Sequence, residues 1–432
     1  MKPNTIRHPL QALFPLFLLL TFLLTACDKN DVKDRPSYDV VYLQSNNFND
    51  NQNAVIAYRT MSDGTLEMLP GSPFLTGGSG VGNPMQILGP LDSDYELRFS
   101  SDKKFLLAVN SGSNTIAVFT IMSDGQLQPV AGSPFPSGGQ TPVSIDITGN
   151  QVFVANKSQD PLHATPMLPN YSSFTIDGNG KLTAASGKQE TVAGSSPSNA
   201  LLSRDGKYLF ATDFLSFMLD APKGTLRSYS IGTGSSLTPV SGTPYILPAG
   251  AMPDNGALGL WQHPSGNPLY VGLPVQGKVG VFNIDASTGA LSMQTSVAAG
   301  PAACWLRTNN SGDKLYVLNS AANTVQVYNT SNPSSPSSMQ VIELKMSGPE
   351  YPGPGTAMFK TSQDFSLHLS PDEKTLYVLC QHTNTDFSIG NYNYLHSLKV
   401  NADGTLVEET EPVQLPVASN IRPKGLAVIT RK

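Results

Sequence analysis

The chain has 432 residues, among them 38 Gly and 34 Pro, with 14% charged side chains and a formal net charge of −5. A mildly acidic balance gives no electrostatic footprint for nucleic acid. So many turn-formers with so few charges point away from helical bundles and disordered tails, towards many short strands.

The first element is a leader. Lys2 and Arg7 precede an apolar run from Leu10 to Leu24, broken by Gln11, Ala12, Pro15 and Thr21, and small residues follow. This is the pattern of an export signal, with an apolar core too short to favour a permanent spanning helix. Leu24-Thr25-Ala26-Cys27 resembles a bacterial lipobox, in which the cysteine is acylated and becomes the new N-terminus. The expected organisation is a signal peptide over 1–26, a lipidated Cys27 with a charged tether to 37, and a folded body over 38–432. That places the body in the cell envelope, facing the periplasm or the exterior, with the lipid bilayer as its partner through Cys27. The other two cysteines, Cys304 and Cys380, fall in different strand patterns, and their spacing does not imply a bridge.

Seven β-branched and aromatic runs follow: VVYLQSN, KFLLAVN, QVFVANK, KYLFATD, PLYVGLP, KLYVLNS and TLYVLCQ, beginning at residues 40, 104, 151, 207, 268, 314 and 375. Spacings of 46 to 64 residues suit one four-stranded unit per repeat. In the fourth unit, PSNALLS, KYLFATD, TLRSYSI and LTPVSGTPY read as successive strands. Short inner-strand patterns recur as YELRFS, PVSIDIT, PSNALLS, GALGLWQ, PAACWLRT, FSLHLS and PKGLAVI. PKGLAVI, at 423–429, has no second strand after it, and VVYLQSN has no inner strand before it. The expectation is an all-β fold: a seven-bladed β-propeller of four-stranded blades whose first blade is closed by the C-terminal strand, as a single domain and a monomer.

Loop lengths point to the working face. First-to-second and third-to-fourth strand turns are mostly tight, as at Ser101-Asp102-Lys103 and Asp403-Gly404. Long insertions fall in the other two classes, at 76–93, 157–170, 213–224, 246–256, 346–363 and 381–392. Up-and-down strand order puts these on one rim, the candidate binding face. That rim carries Asp213, Asp254, Glu350, Asp364 and Asp386 as acids, His163 and His382 as imidazoles, and Lys360, Arg422 and Lys424 as cations. His368, in FSLHLS, alternates into an inner strand and is either channel-lining or a hydrogen-bonded core histidine. The sequence contains no HExxH, CxxC pair, GxSxG or phosphate-cradling glycine loop, so neither a metal nor a cofactor is expected.

The units around LRFSSDKKFLLAVNSGSNTIAVFTIMSDGQLQPVAGSPF and LLSRDGKYLFATDF resemble the repeats of the lactonase-type seven-bladed propellers, which include the 6-phosphogluconolactonases and carboxymuconate-lactonizing enzymes. The resemblance spans nearly all of 38–430. It implies lactone hydrolysis near the axial end of the ring, where the family carries histidines before inner strands and an arginine after a second strand. This chain has Ser198, Asn199, Ala302, Ala303, Gln381 and His382 at those places, and Asp213 at an acidic position common in the family. Lactone hydrolysis needs a base to activate water and a positive group for the oxyanion. Asp213 or His382 is the expected base and Arg422 the stabiliser at the mouth; His163, Asp254, Glu350, Lys360 and Lys424 are further binding-face candidates. The alternative is a propeller that has lost this chemistry and binds a protein, peptide or glycan on the same rim.

Overall fold

A computed structural model of the protein describes residue 1 and residues 37–82, 92–158, 166–218, 225–247, 256–353, 358–386 and 388–432. The leader, Cys27 and the tether, and the candidates His163 and Asp254, lie outside the described residues. Residues Ser37–Lys432 form one compact unit.

Each apolar run becomes the second strand of a four-stranded antiparallel blade, and there are seven blades. Inner strands of blades 2 to 7 are Leu97–Phe99, Pro142–Thr148, Pro197–Leu202, Leu260–Gln262, Ala303–Thr308 and Ser362–Leu369. The C-terminal strand Lys424–Arg431 pairs antiparallel with Tyr38–Gln44, from Tyr38 opposite Arg431 to Gln44 opposite Lys424, and is the inner strand of blade 1. Closure thus joins the two ends of the chain in one sheet and leaves the ring without a free inner edge.

The runs are continuously apolar because both faces of every second strand are buried. Successive side chains point to opposite faces. Val40 and Tyr42 accordingly pack with Leu106 and Phe119 of blade 2, whereas Val41 and Leu43 pack with Tyr377 and Leu379 of blade 7. The remaining blade interfaces hold their own clusters. A fold that would be large for one core is therefore built from several small ones.

A tyrosine clasp recurs between neighbours. The second-strand hydroxyl of one blade donates to a turn carbonyl of the next: Tyr42 to Gly125 (2.6 Å), Tyr270 to Pro333 (2.8 Å) and Tyr316 to Gly404 (3.1 Å). Tyr42→Phe should lower stability by about 1 kcal/mol, the net worth of one such bond. Denaturant titration would show this as a fall in midpoint at unchanged slope.

The short-turn rim is shaped by a repeated Ser-x-Asp device. Ser100, Ser203 and Ser370 each donate to the aspartate two residues on, all at 2.7 Å. The opposite rim carries the long connections, including a small hairpin of Glu350–Pro352 with Met358–Lys360.

Candidate functional site

The last part of the long connection into blade 2 does not stay on the rim. Residues 92–96 cross the axis of the ring, bonded to blades around it. Trp305 Nε1 of blade 6 donates to the Ser93 carbonyl (2.8 Å) and Tyr95 Oη donates to Leu260 O of blade 5 (2.8 Å). The Asp94 amide donates to Ser198 O of blade 4 (3.2 Å), and the Ile145 amide of blade 3 donates to Tyr95 O (2.9 Å). Tyr95 turns the segment with a φ of 66°, a left-handed conformation rare for a bulky residue.

Acids at every second position of this segment meet a set of cations. Arg307 binds Asp94 through both ends of its guanidinium, at 2.8 and 2.9 Å. Lys157 Nζ donates to the Asp92 carbonyl (3.0 Å), and the Asp92 charge also acts on Arg422. Glu96 packs against Gly425, where burial raises its pKa and the Lys424 charge draws it back. Lys424 is itself buried, its ammonium 3.0 Å from Ser111 Oγ. Burial lowers its pKa, opposed by Glu96. Lys424 is thus an axial residue rather than a rim cation. The Tyr95 ring lies between Arg98 and Arg307, whose guanidinium carbons are 4.4 and 4.2 Å from its centroid. Arg307 also stands over Trp261 at 5.1 Å.

Beside this plug, the long-loop end of blade 7 gathers the other candidates. Arg422 is only 2% exposed, so it lies beneath the mouth rather than at it. It donates to Thr383 Oγ1 and its guanidinium carbon is 5.6 Å from the centroid of Phe365. His382 precedes Thr383 and is partly exposed. Its ring meets Tyr392 edge-on at 5.8 Å, and its Nδ1 is buried with no hydrogen-bond partner among the described residues. Burial first, and then the Arg422 charge, lower its pKa, so the imidazole is neutral at pH 7. Gln381 Nε2 donates to Pro423 O (2.6 Å) and Gln363 Nε2 to Tyr351 Oη (2.9 Å). Asp364 is fully buried, neither carboxylate oxygen has a well-formed hydrogen bond among the described residues, and burial pushes its pKa well up against the pull of Ser320. Gln381 Oε1 is likewise buried without a partner among the described residues, and the Ser362 hydroxyl acts on the Cys380 thiol.

Other candidates lie elsewhere. Asp213 is fully buried. Arg227 Nε donates to its Oδ2 at 2.6 Å and Tyr171 Oη to its Oδ1 at 3.3 Å. Both carboxylate oxygens are engaged within blades 3 and 4, an arrangement that holds strands together rather than presenting a base at the rim. Lys360 pairs with Glu343 (3.2 Å) and Glu350 (3.3 Å) on the surface hairpin. Asp386 caps its own turn through Ser388. Cys304 and Cys380 are buried free thiols. No group of side chains that could hold a metal occurs among the described residues. The structure therefore brings His382 and Arg422 together. The plug residues Asp94 and Tyr95 and their partner Arg307 were not singled out from the sequence. The one local signal was the acid alternation of Asp92, Asp94 and Glu96, a period that lines one face of an extended segment.

Fold and axial site together define a closed seven-bladed propeller with a polar network along its axis. The chain belongs to the lactonase family of 7-bladed β-propellers, whose sequence pattern matches residues 47–167 and 169–415. No curated protein sequence matches it. Among solved structures, a candidate 6-phosphogluconolactonase from Bacteroides uniformis is similar, with a TM-score of 0.63 and 17% identity over 91% of this chain and 100% of that one. A periplasmic gluconolactonase of Pseudomonas aeruginosa, PpgL, superposes with a TM-score of 0.62 and 17% identity, covering 91% of this chain and 99% of its own. At such identities the likeness is one of fold.

Proposed function

We propose that this protein is a lipid-anchored lactone hydrolase of the cell envelope, with His382 as general base at the long-loop mouth. The observation that carries the reading is an imidazole on a partly exposed residue at the long-loop end, with the buried Arg422 guanidinium beside it. In the proposed reaction His382 takes a proton from water as the oxygen attacks the lactone carbonyl. The ring C–O bond then breaks, the imidazolium returns the proton to the departing alkoxide, and a hydroxy acid leaves. Arg422 acts from behind as a positioning residue. Its charge lowers the imidazole pKa, which keeps the ring unprotonated, and offsets the developing oxyanion. An export leader and Cys27 favour a non-phosphorylated sugar or acyl lactone, in line with the compartment of the Pseudomonas aeruginosa gluconolactonase.

The test uses the full chain in detergent with a panel of sugar and acyl lactones. His382→Ala should lower kcat/KM by about 100-fold or more. Arg422→Gln should shift the acidic limb of the pH profile upward, because removing a neighbouring positive charge raises the imidazole pKa. Turnover indifferent to His382→Ala would overturn this assignment. A second reading, a catalytically silent propeller binding a protein, peptide or glycan on the same rim, is favoured by the plug across the axis and the sequestered Asp213. It predicts no turnover in the native chain.

Two further outcomes are expected. A Cβ at Gly390 would lie 1.8 Å from His382 Nδ1, so Gly390→Ala should turn the ring away and reduce turnover while leaving the melting temperature nearly unchanged. Cys27→Ser should move the protein from the membrane to the soluble fraction, and a mutant that still needs detergent would refute the anchor.

A further inference from the structure

The opposite end of the axis holds a cavity of about 310 Å³, opening among the first-to-second strand turns of blades 2, 6 and 7. That is near the lower end of ligand-sized pockets, roughly 300 to 1,000 Å³. Arg98, Lys103, Trp261, Arg307, Asn310 and His368 supply its polar and aromatic wall. Arg98 is tied through Nε and Nη2 to Asp146, with Nη1 making no hydrogen bond among the described residues, and Arg307 is tied to Asp94. Neither of those carboxylates reaches the cavity wall, so it presents guanidinium groups with their counter-charges behind them. Among the described residues the Lys103 ammonium makes no ion pair, and the lining carboxylate of Glu373 already accepts the Asn310 backbone amide. His368 completes the site. Its Nδ1 lies 2.7 Å from the Leu369 carbonyl, which can only accept, so Nδ1 carries the proton and Nε2 is left as an acceptor. Burial, reinforced by Arg307, Arg98 and Lys103, pushes this imidazole down to about 4, so it stays neutral. Phe99 and Val428 provide an apolar side.

We propose that this cavity is a second binding site, separate from the long-loop mouth, for a small organic hydroxycarboxylate. The carboxylate would lie against the Lys103 ammonium and Arg98 Nη1, the hydroxyl would donate to His368 Nε2, and the carbon frame would rest on Phe99 and Val428. A donor on the ligand is required because the imidazole has no proton to offer there. This sets the site apart from a general anion trap.

Calorimetric titration of the full chain in detergent tests it with 4-hydroxybenzoate as probe. Two relatives of the same shape serve as comparisons: 4-methylbenzoate lacks the donor and 4-hydroxybenzamide lacks the charge. The hydroxycarboxylate should bind saturably and each relative at least about tenfold more weakly, as expected for one lost charge-assisted or buried hydrogen bond. Lys103→Met, at an exposed turn position, and His368→Phe should each weaken the probe by a similar factor, while His382→Ala should leave it unchanged. Absence of saturable binding, equal binding of all three compounds, or an affinity untouched by Lys103→Met would overturn the proposal. So would loss of binding in His382→Ala, which would place the anion at the other end of the axis.

Discussion

Removal of residues 421–432 is expected to abolish the soluble folded ring. The strand Lys424–Arg431 is bonded along the length of Tyr38–Gln44. It sends Leu426 and Val428 to the interface with blade 7 and Ala427 and Ile429 to that with blade 2. Full burial of a large aliphatic side chain contributes about 1.5 to 3 kcal/mol. Losing three of them, together with a strand's backbone pairing, is comparable with the whole stability of a typical domain, about 5 to 15 kcal/mol. The deletion would also bare the edge of blade 1, a template for aggregation. Soluble yield and near-ultraviolet circular dichroism report the result, with deletion of residues 28–36 as the comparison. If both truncations melt like the parent, the two-ended closure does not hold the ring.

The second large effect should come from Arg307→Met. The Arg307 and Asp94 side chains are 8% and 1% exposed, so the substitution leaves a carboxylate buried in the axis without its partner. Breaking such a pair from one side typically costs about 3 to 5 kcal/mol. It would also remove the cation from between the Tyr95 and Trp261 rings. Asp94→Asn combined with Arg307→Met should recover part of the loss, because no charge is then stranded. The exposed pair Arg59–Glu67, 37% and 53% exposed, sets the scale for comparison. Arg59→Met should cost at most about 1 kcal/mol. A loss at Arg307 no larger than that would mean the segment across the axis is not held by this pair.

What could be read from the chain follows from the range of the signal. Strand runs, turns and the orphan segments at both ends are local patterns, and period-two burial on both faces made VVYLQ and KFLLAV continuous apolar runs. Ring closure was legible because one unit lacked exactly what the other end had left over. Pairings between distant residues were not. Nothing near Asp213 announces that Arg227 and Tyr171 will occupy its carboxylate, and nothing near Arg422 announces that its side chain will turn inward. Arg307 and Asp94 are separated by 213 positions, and only the ring brings them face to face. Candidates read as rim charges therefore divided into a surface hairpin, a buried brace and an axial network, according to contacts that composition and spacing do not encode.

Both ends of the folded body leave the ring at one place. Tyr38 stands opposite Arg431 in blade 1, where every other blade has its short first-to-second turn. If residue 37 is joined by a leash to the proposed anchor, the attachment is on the rim opposite the long connections, like a lamp held by its base. However the ring swivels on such a leash, the His382 mouth is carried on the side away from the point of attachment, and a large ligand arriving there does not have to pass between the ring and whatever surface holds it.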